Sequence, residues 1–466
     1  MQDQDVFGLY EIASQQGPTA DPTRSRFFSE VFNLKWNPFP EIGVPESEVS
    51  QVAPIRYQVT QDIGKWIREA YTEKSRRVLV IRGEYGSGKS SLLRKIVSVV
   101  NQWSTGRGEN RPKAIYVYRP SVEAHALNRA ILEEIGIDDV RKMVWNVIRR
   151  EMIFDLTEEV RSEQLGTLIK ELLSPSRPNR SVGQTSLFGQ PIITDIPQPL
   201  SQLFDPSQNM DYRVFLAEVD RLRIKRRDFH SYFTYLIARG LESPSSIANG
   251  AFVDLLLAYD EIEAWQALVN TKAPTRDRTD FVRLFLQNLI RLLKFDGYTY
   301  LFVAIDEFEQ VTEPTLMSPK DRADYSYTMM EIINRIDQGL GLIISITGPG
   351  FDKLEQVNAA LVDRLDVVPL EPLRTTDVER LVRFYLDELQ ARANEDDPGR
   401  TGLFTFSPGR LEASQPMFLS MKYGSTPRVI LKYFRKLLDY CADREITTID
   451  RDVATKFGRS FREGRG

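Results

Sequence analysis

The stretch RGEYGSGKSS, Arg82 to Ser91, sets Gly83, Gly88, Lys89 and Ser90 at the spacing G-x-x-x-x-G-K-[ST]. These residue types suit a nucleoside triphosphate. Gly83, Gly86 and Gly88 let the backbone curl so that successive N–H groups point inward at phosphate oxygens, at a distance no Cβ would allow. Lys89 puts a mobile ammonium on the β and γ oxygens. Ser90, in the first turn of a helix, offers its hydroxyl to Mg²⁺ beside the positive end of the helix dipole. Ser87 and Ser91 complete the set expected around the nucleotide. The plainer alternative is a glycine turn ahead of an ordinary helix, but the flanking strand and helix favour nucleotide binding.

A second group lies far along the chain. In YTYLFVAIDEFEQV an apolar run, Tyr300 to Ile305, is closed by Asp306 and Glu307. Strand C-termini gather at one edge of a parallel sheet, so Asp306 is expected beside Ser90, holding Mg²⁺ through its water shell. Glu307 would orient or deprotonate the attacking water. The alternative is a carboxylate pair capping the strand end. Downstream, GLIISITG (Gly341 to Gly348) reads as a strand ending in Thr347, a polar group for the water or γ-phosphate. Sequence alone does not separate Thr347 from Ser345 in that role.

The elements that must carry these residues follow from the hydrophobic pattern. Val78 to Val97 reads as strand, loop and helix, and Ala114 to Val122 as a second buried strand, which makes a β-α-β unit. A helix face over Tyr57 to Thr72 leads into the first strand. Helical periodicity then covers 127–135, 138–154, 157–173, 212–239, 247–268 and 280–295, and a further helix spans about 322–338. About 175 residues separate the second strand from the strand ending at Asp306, far more than a crossover needs, so a helical insertion is expected. Inside it, residues 173–210 are rich in Pro, Ser, Gly and Gln and read as a loop or flexible linker.

Composition bounds the rest. The chain has 466 residues, 42% hydrophobic and 27% charged, with a formal net charge of -4, so any nucleic-acid contact needs a local basic patch. One cysteine, Cys441, excludes an internal disulfide, and two histidines leave too few ligands for a usual zinc site. The N-terminus has neither a basic start nor an apolar signal core, and no apolar run is long enough for a bilayer, so a cytoplasmic protein without a membrane anchor is expected.

Taken in order, the phosphate loop, the DE-ending strand, the polar-ended strand and VDRLDVVPLEPL (Val362 to Leu373) resemble the AAA+ ATPases. Within them the chain is similar to the group holding origin-recognition initiators, target-selection ATPases of DNA transposons and ATPases of BREX-type phage defence. AIDEFEQV (Ala304 to Val311), GSTPRVILKYFRKLL (Gly424 to Leu438) and the NPF element Asn37 to Phe39 carry the same likeness. The resemblance implies an α/β fold with an AAA+ parallel-sheet core, a large helical insertion and a C-terminal helical lid. It makes Lys89 and Ser90 the Walker A residues, Asp306 and Glu307 the Walker B pair, Thr347 the first sensor, Arg364 the arginine finger and Arg428 the second sensor. Arg364 could equally form a surface salt bridge with Asp363 or Asp366. Arg428 follows Pro427 at a helix start, where a guanidinium can reach a phosphate. Phe39, between two prolines, could flank an adenine ring or plug a core edge.

The expected domains are an N-terminal extension with the NPF element (1–49), a first core part with Walker A (50–122), the insertion (123–295), a second core part (296–373) and the lid and tail (374–466). Few residues follow the lid, so a winged-helix domain of the kind many initiators carry is not expected. The strongest basic stretch, RLRIKRRDFHSYF, crowds Arg221, Arg223, Lys225, Arg226 and Arg227 onto one expected helix. It suits phosphate contact with double-stranded DNA, or a solvated helix whose arginines pair with Glu218, Asp220 and Asp228. The tail arginines Arg459, Arg462 and Arg465 are a second basic candidate. The function expected is ATP- and Mg²⁺-dependent hydrolysis with nucleotide-dependent homo-oligomerisation into a ring or filament, on DNA, to recruit or regulate partner proteins. A nucleotide-gated interaction switch of a defence system, contacting a protein through the insertion without DNA, is the alternative.

Overall fold

The computed structural model describes residues 22–32, 34, 37, 39, 55–157, 210–263, 275–385 and 426–462, apart from short gaps within these ranges. Most of the helix expected over 157–173, the linker 173–210 and the tail residue Arg465 lie outside the described residues. The elements are α1 (Pro22–Phe32), α2 (Tyr57–Glu73), β1 (Arg77–Gly83), α3 (Lys89–Thr105), β2 (Arg111–Tyr118), α4 (His125–Ile135) and α5 (Ile137–Thr157). After the undescribed stretch come α6 (Tyr212–Arg221), α7 (His230–Gly240), α8 (Ser246–Leu257), α9 (Thr275–Phe295), β3 (Tyr298–Asp306) and α10 (Pro319–Arg335). The chain continues through β4 (Leu340–Ile346), α11 (Gly348–Val357), α12 (Ala359–Val362), β5 (Asp366–Leu370), α13 (Thr375–Arg383), α14 (Pro427–Asp443) and α15 (Arg451–Arg462).

The fold is α/β, mostly helical, with a five-stranded all-parallel sheet in the order β2-β3-β4-β1-β5. Val78 to Ile81 and Tyr300 to Ile305 are almost wholly buried, as parallel strands covered on both faces should be. In register Tyr118 stands opposite Asp306 and Ile305 opposite Ile344, so the two chemical strand ends are aligned with β2 and β4. The chain divides into two compact units: Trp66–Val80 with Val97–Val367, and Met1–Lys65 with Ile81–Ile96 and Val368–Gly466.

In the first of these, α4 to α9 and strands β2 to β4 share one apolar core. The α9 face Phe281, Phe285, Leu289 and Leu292 packs inward at helical spacing, with Phe285 stacked on Phe252 at 4.3 Å. Trp145 stacks on Phe215 at 4.8 Å and donates its indole N–H to the Met210 carbonyl at 2.7 Å, so its polar atom is satisfied inside the core.

Three expected elements differ. The helix read over 247–268 stops at Leu257, where Ala258 leaves the helical region (φ -57°, ψ 140°). The helix read over 212–239 is interrupted: Arg223 takes φ +57°, and the amides of Arg223 and Ile224 bond back to Asp220 and Val219, a left-handed helix stop that a non-glycine residue here supplies. A 3₁₀ turn over Arg226–Phe229 then leads into α7. The second strand ends at Tyr118 rather than Val122 because Arg119 is left-handed (φ +54°) and Pro120 has no N–H for a ladder.

In the other unit, α1 packs on α14, and the core gathers Phe28, Phe32, Phe39, Leu381, Tyr433, Phe434 and Phe457. Asn37 donates its amide to the Arg435 carbonyl and to Asp439, each at 3.0 Å, and Arg435 donates to the Phe39 carbonyl at 2.7 Å. The N-terminal element is thus tied to α14 by its polar groups and by its ring.

Candidate nucleotide-binding site

The phosphate loop lies between the end of β1 and the start of α3. Gly86 and Gly88 are left-handed, with φ +75° and +94°. A Cβ on Gly83 would sit 2.7 Å from Ser87 Oγ and 3.0 Å from Leu370 Cβ, so no side chain fits there. Lys89 folds back and donates its ammonium to the Gly83 and Glu84 carbonyls at 2.9 and 3.2 Å, and the Ser87 amide donates to the Glu84 carbonyl at 3.1 Å. The Ser87 hydroxyl is buried without a partner among the described residues. A buried orphan hydroxyl beside a lysine and a helix start suits an anion that would take both.

Arg428 stands against this loop. Thr426 caps α14 by accepting from the Val429 amide at 3.4 Å, and Pro427 fills the first helical position, which puts Arg428 in the first turn. Its amide, one of the donors a helix start leaves unpaired, bonds the Gly86 carbonyl at 3.3 Å, and its guanidinium lies 5.9 Å from the Tyr85 ring centroid. A Cβ on Gly86 would approach Arg428 Cβ to 2.9 Å. Phe39, in contrast, is wholly buried, its ring against Phe434 (5.4 Å) and Tyr385 (5.9 Å). That is the core-plugging role open to it in the sequence.

In the other unit the end of β3 forms a polar network. Asp306 is 1% exposed, and both its oxygens are engaged: Tyr116 donates its hydroxyl to Oδ2 at 2.6 Å, and Ser345 donates to Oδ1. The Glu307 amide donates to Asp306 Oδ1 at 3.0 Å and to Ser345 Oγ at 3.2 Å. Glu307 itself is left-handed (φ +52°), and its carboxylate accepts from Arg119 Nε at 2.6 Å and Gln310 Nε2 at 3.3 Å. Thr347 caps α11 by accepting from the Gly350 amide at 3.3 Å, so of the two polar residues on that strand end it is Ser345 that touches the carboxylate.

Arg364 lies in the turn after α12, exposed, and makes no ion pair among the described residues. Asp366, one of the carboxylates considered for it, accepts instead from the Trp66 indole at 2.7 Å. Of the basic stretch, Arg221 pairs with Glu218, and Arg226 pairs with Asp220 at 2.6 Å while its guanidinium lies 4.0 Å from the Tyr259 ring centroid. Arg223, Lys225 and Arg227 are exposed. The grouping is therefore a helix end, a turn and a 3₁₀ segment, with two of five cations spent internally.

Three contributors carry no sequence signal strong enough to single them out: Tyr116, Arg119 and, as the partner of Asp306, Ser345. Tyr116 and Arg119 become visible only once β2 is known to lie beside β3.

No family model matches the sequence, and no curated protein matches it. Among solved structures the chain is similar to the Aeropyrum pernix ORC2 protein in its ADP form, at 12% identity and a TM-score of 0.43, over 93% of this chain and 72% of that one. It is likewise similar to the ADPNP–ADP complexes of the same ORC2 protein, at 11% identity and 0.43, over 91% and 71%.

Proposed function

We propose that the chain is a Mg²⁺-dependent ATPase of the AAA+ class whose nucleotide state governs self-assembly and the recruitment of partner proteins. The observation that carries this reading is the loop from Gly83 to Ser90: left-handed glycines, a lysine and an orphan hydroxyl at a helix start, with Arg428 seated on the loop backbone. Lys89 and Arg428 supply positive charge to the phosphates. Ser90 and Asp306 supply the hard oxygen donors Mg²⁺ prefers, and Asp306, whose two oxygens already accept hydroxyl protons, suits contact through the ion's water shell. Bound Mg²⁺ would neutralise charge developing on the transferred phosphoryl group. Glu307 activates water once its bond to Arg119 opens, and Arg364 reaches a neighbouring copy. Mobile-element and phage-defence ATPases are the relatives we infer, and DNA contact runs through Arg223, Lys225 and Arg227.

The second reading, a protein-binding switch without DNA, is favoured by a different observation. The insertion exposes Phe154, Tyr235 and Ile247 on its helices and Tyr259 just after α8, each about half or more accessible, while two of the five clustered cations are paired internally.

Binding of a fluorescent duplex by Glu307→Gln protein, titrated with ATP and with ADP at two salt concentrations, separates the two. ATP-dependent, salt-sensitive binding supports the DNA-assembled ATPase. Assembly with ATP but no duplex binding selects the protein-binding switch.

A further inference from the structure

Arg56 is the residue immediately before α2, and its backbone is left-handed, φ +56°. A non-glycine residue held there costs on the order of 1 kcal/mol and persists only where its surroundings dictate it. Here they do. One guanidinium nitrogen, Nη1, donates to the Ser87 carbonyl at 2.6 Å, and the other, Nη2, to the Glu371 carbonyl at 2.6 Å. The Arg56 amide donates to Asp377 Oδ1 at 3.4 Å, and its carbonyl accepts the first helical bond of α2, from Thr60 at 3.1 Å. Burial pulls the guanidinium pKa down, opposed by Asp377 and Glu371, so the group is held in place by directed hydrogen bonds at a desolvation cost.

The geometry points to Arg56 as a positioning residue for the phosphate loop, fixing the peptide between Ser87 and Gly88 so that the Gly88 N–H is presented for an anion. This rests on the nucleotide reading of that loop. In a trans peptide the C=O of one residue and the N–H of the next point in opposite directions. Arg56 grips the Ser87 carbonyl from one side, which turns the Gly88 amide to the other. The Arg428 amide holds the preceding peptide through the Gly86 carbonyl, and the Ser87 N–H of that peptide is bonded to the Glu84 carbonyl. Two consecutive peptide planes are thereby set before any ligand arrives. The planar fork of arginine is what lets one side chain hold two carbonyls, one on the loop and one just beyond β5, and lysine has no such fork.

The test uses Arg56→Lys, which keeps the charge, with Arg56→Gln as a second variant. Hydrogen exchange is measured without nucleotide, and Mg-ATP affinity is then measured by calorimetry. The expected result in Arg56→Lys is about tenfold faster exchange over residues 84–89, unchanged exchange over β2 and β3, and ATP affinity about tenfold weaker. Unchanged exchange over 84–89, faster exchange across the whole molecule, or faster loop exchange with undiminished ATP affinity would each overturn the assignment. If the unmodified protein binds no ATP, the nucleotide reading falls, and exchange over 84–89 still decides whether Arg56 holds the loop.

Discussion

At Glu307 a left-handed backbone and an ion pair act together. The carboxylate that would activate water is bound to Arg119 at 2.6 Å, and Arg119 is itself left-handed and half-exposed. That ion pair takes up a carboxylate oxygen the water needs. Removing Arg119 should therefore release Glu307: Arg119→Ala is expected to raise steady-state ATP turnover about two- to tenfold, measured by phosphate release. Equal or slower turnover would mean the pair supports the site instead. Cys441 offers a separate check on the core around α14. It is fully buried, and burial pushes its thiol pKa from 9.0 up to about 12. The neutral thiol is favoured in the fold, so its contribution is intact below about pH 9 and is lost as pH rises toward 12. Urea midpoints measured between pH 8 and 11 should fall more steeply for the wild type than for Cys441→Ala.

The residues themselves were unequally legible. Lys89, Ser90, Asp306 and Glu307 announce themselves because phosphate chemistry restricts both type and spacing. Arg56 and Tyr116 do not, because their roles depend on which distant backbone or strand lies within reach, and nothing in the local sequence encodes that.

At the scale of elements, β1, β3 and β4 could be read because parallel strands buried on both faces become continuous apolar runs bounded by polar residues. The break in the helical pattern over 212–239 carries no sequence signal because its stop is made by an arginine in the left-handed region, where glycine is the usual signal. At the NPF element, packing supports the core-plugging reading of its aromatic. Phe39 is enclosed by Tyr385 and Phe434, and Asn37 and Arg435 bridge it to α14. Phe39→Ala should cost about 3–5 kcal/mol, read as a lower denaturant midpoint. An adenine-stacking role would instead weaken nucleotide affinity while leaving the midpoint nearly unchanged.

At the scale of the whole molecule, the inserted helices are built into the core that supports β2 to β4, so they are continuous with the strands carrying Asp306 and Ser345. Arg364 is exposed and outside any ion pair among the described residues, and the role proposed for it is to reach another copy of the chain. Arg364→Ala is expected to lower turnover by about 10³-fold and to remove its rise with protein concentration, checked by activity and light scattering over a dilution series. Turnover that is independent of concentration in both proteins would argue that each copy acts alone.

ATP binding through the Lys89 loop and hydrolysis with Glu307 are the steps on which the proposed function depends. The most direct test is phosphate release and Mg-ATP binding measured side by side for wild type, Lys89→Ala and Glu307→Gln. Turnover is expected in the wild type, with lost ATP binding in Lys89→Ala and wild-type affinity with turnover slowed about 10²-fold or more in Glu307→Gln. Absence of ATP binding in the wild type, or normal turnover in Glu307→Gln, would contradict the proposed function.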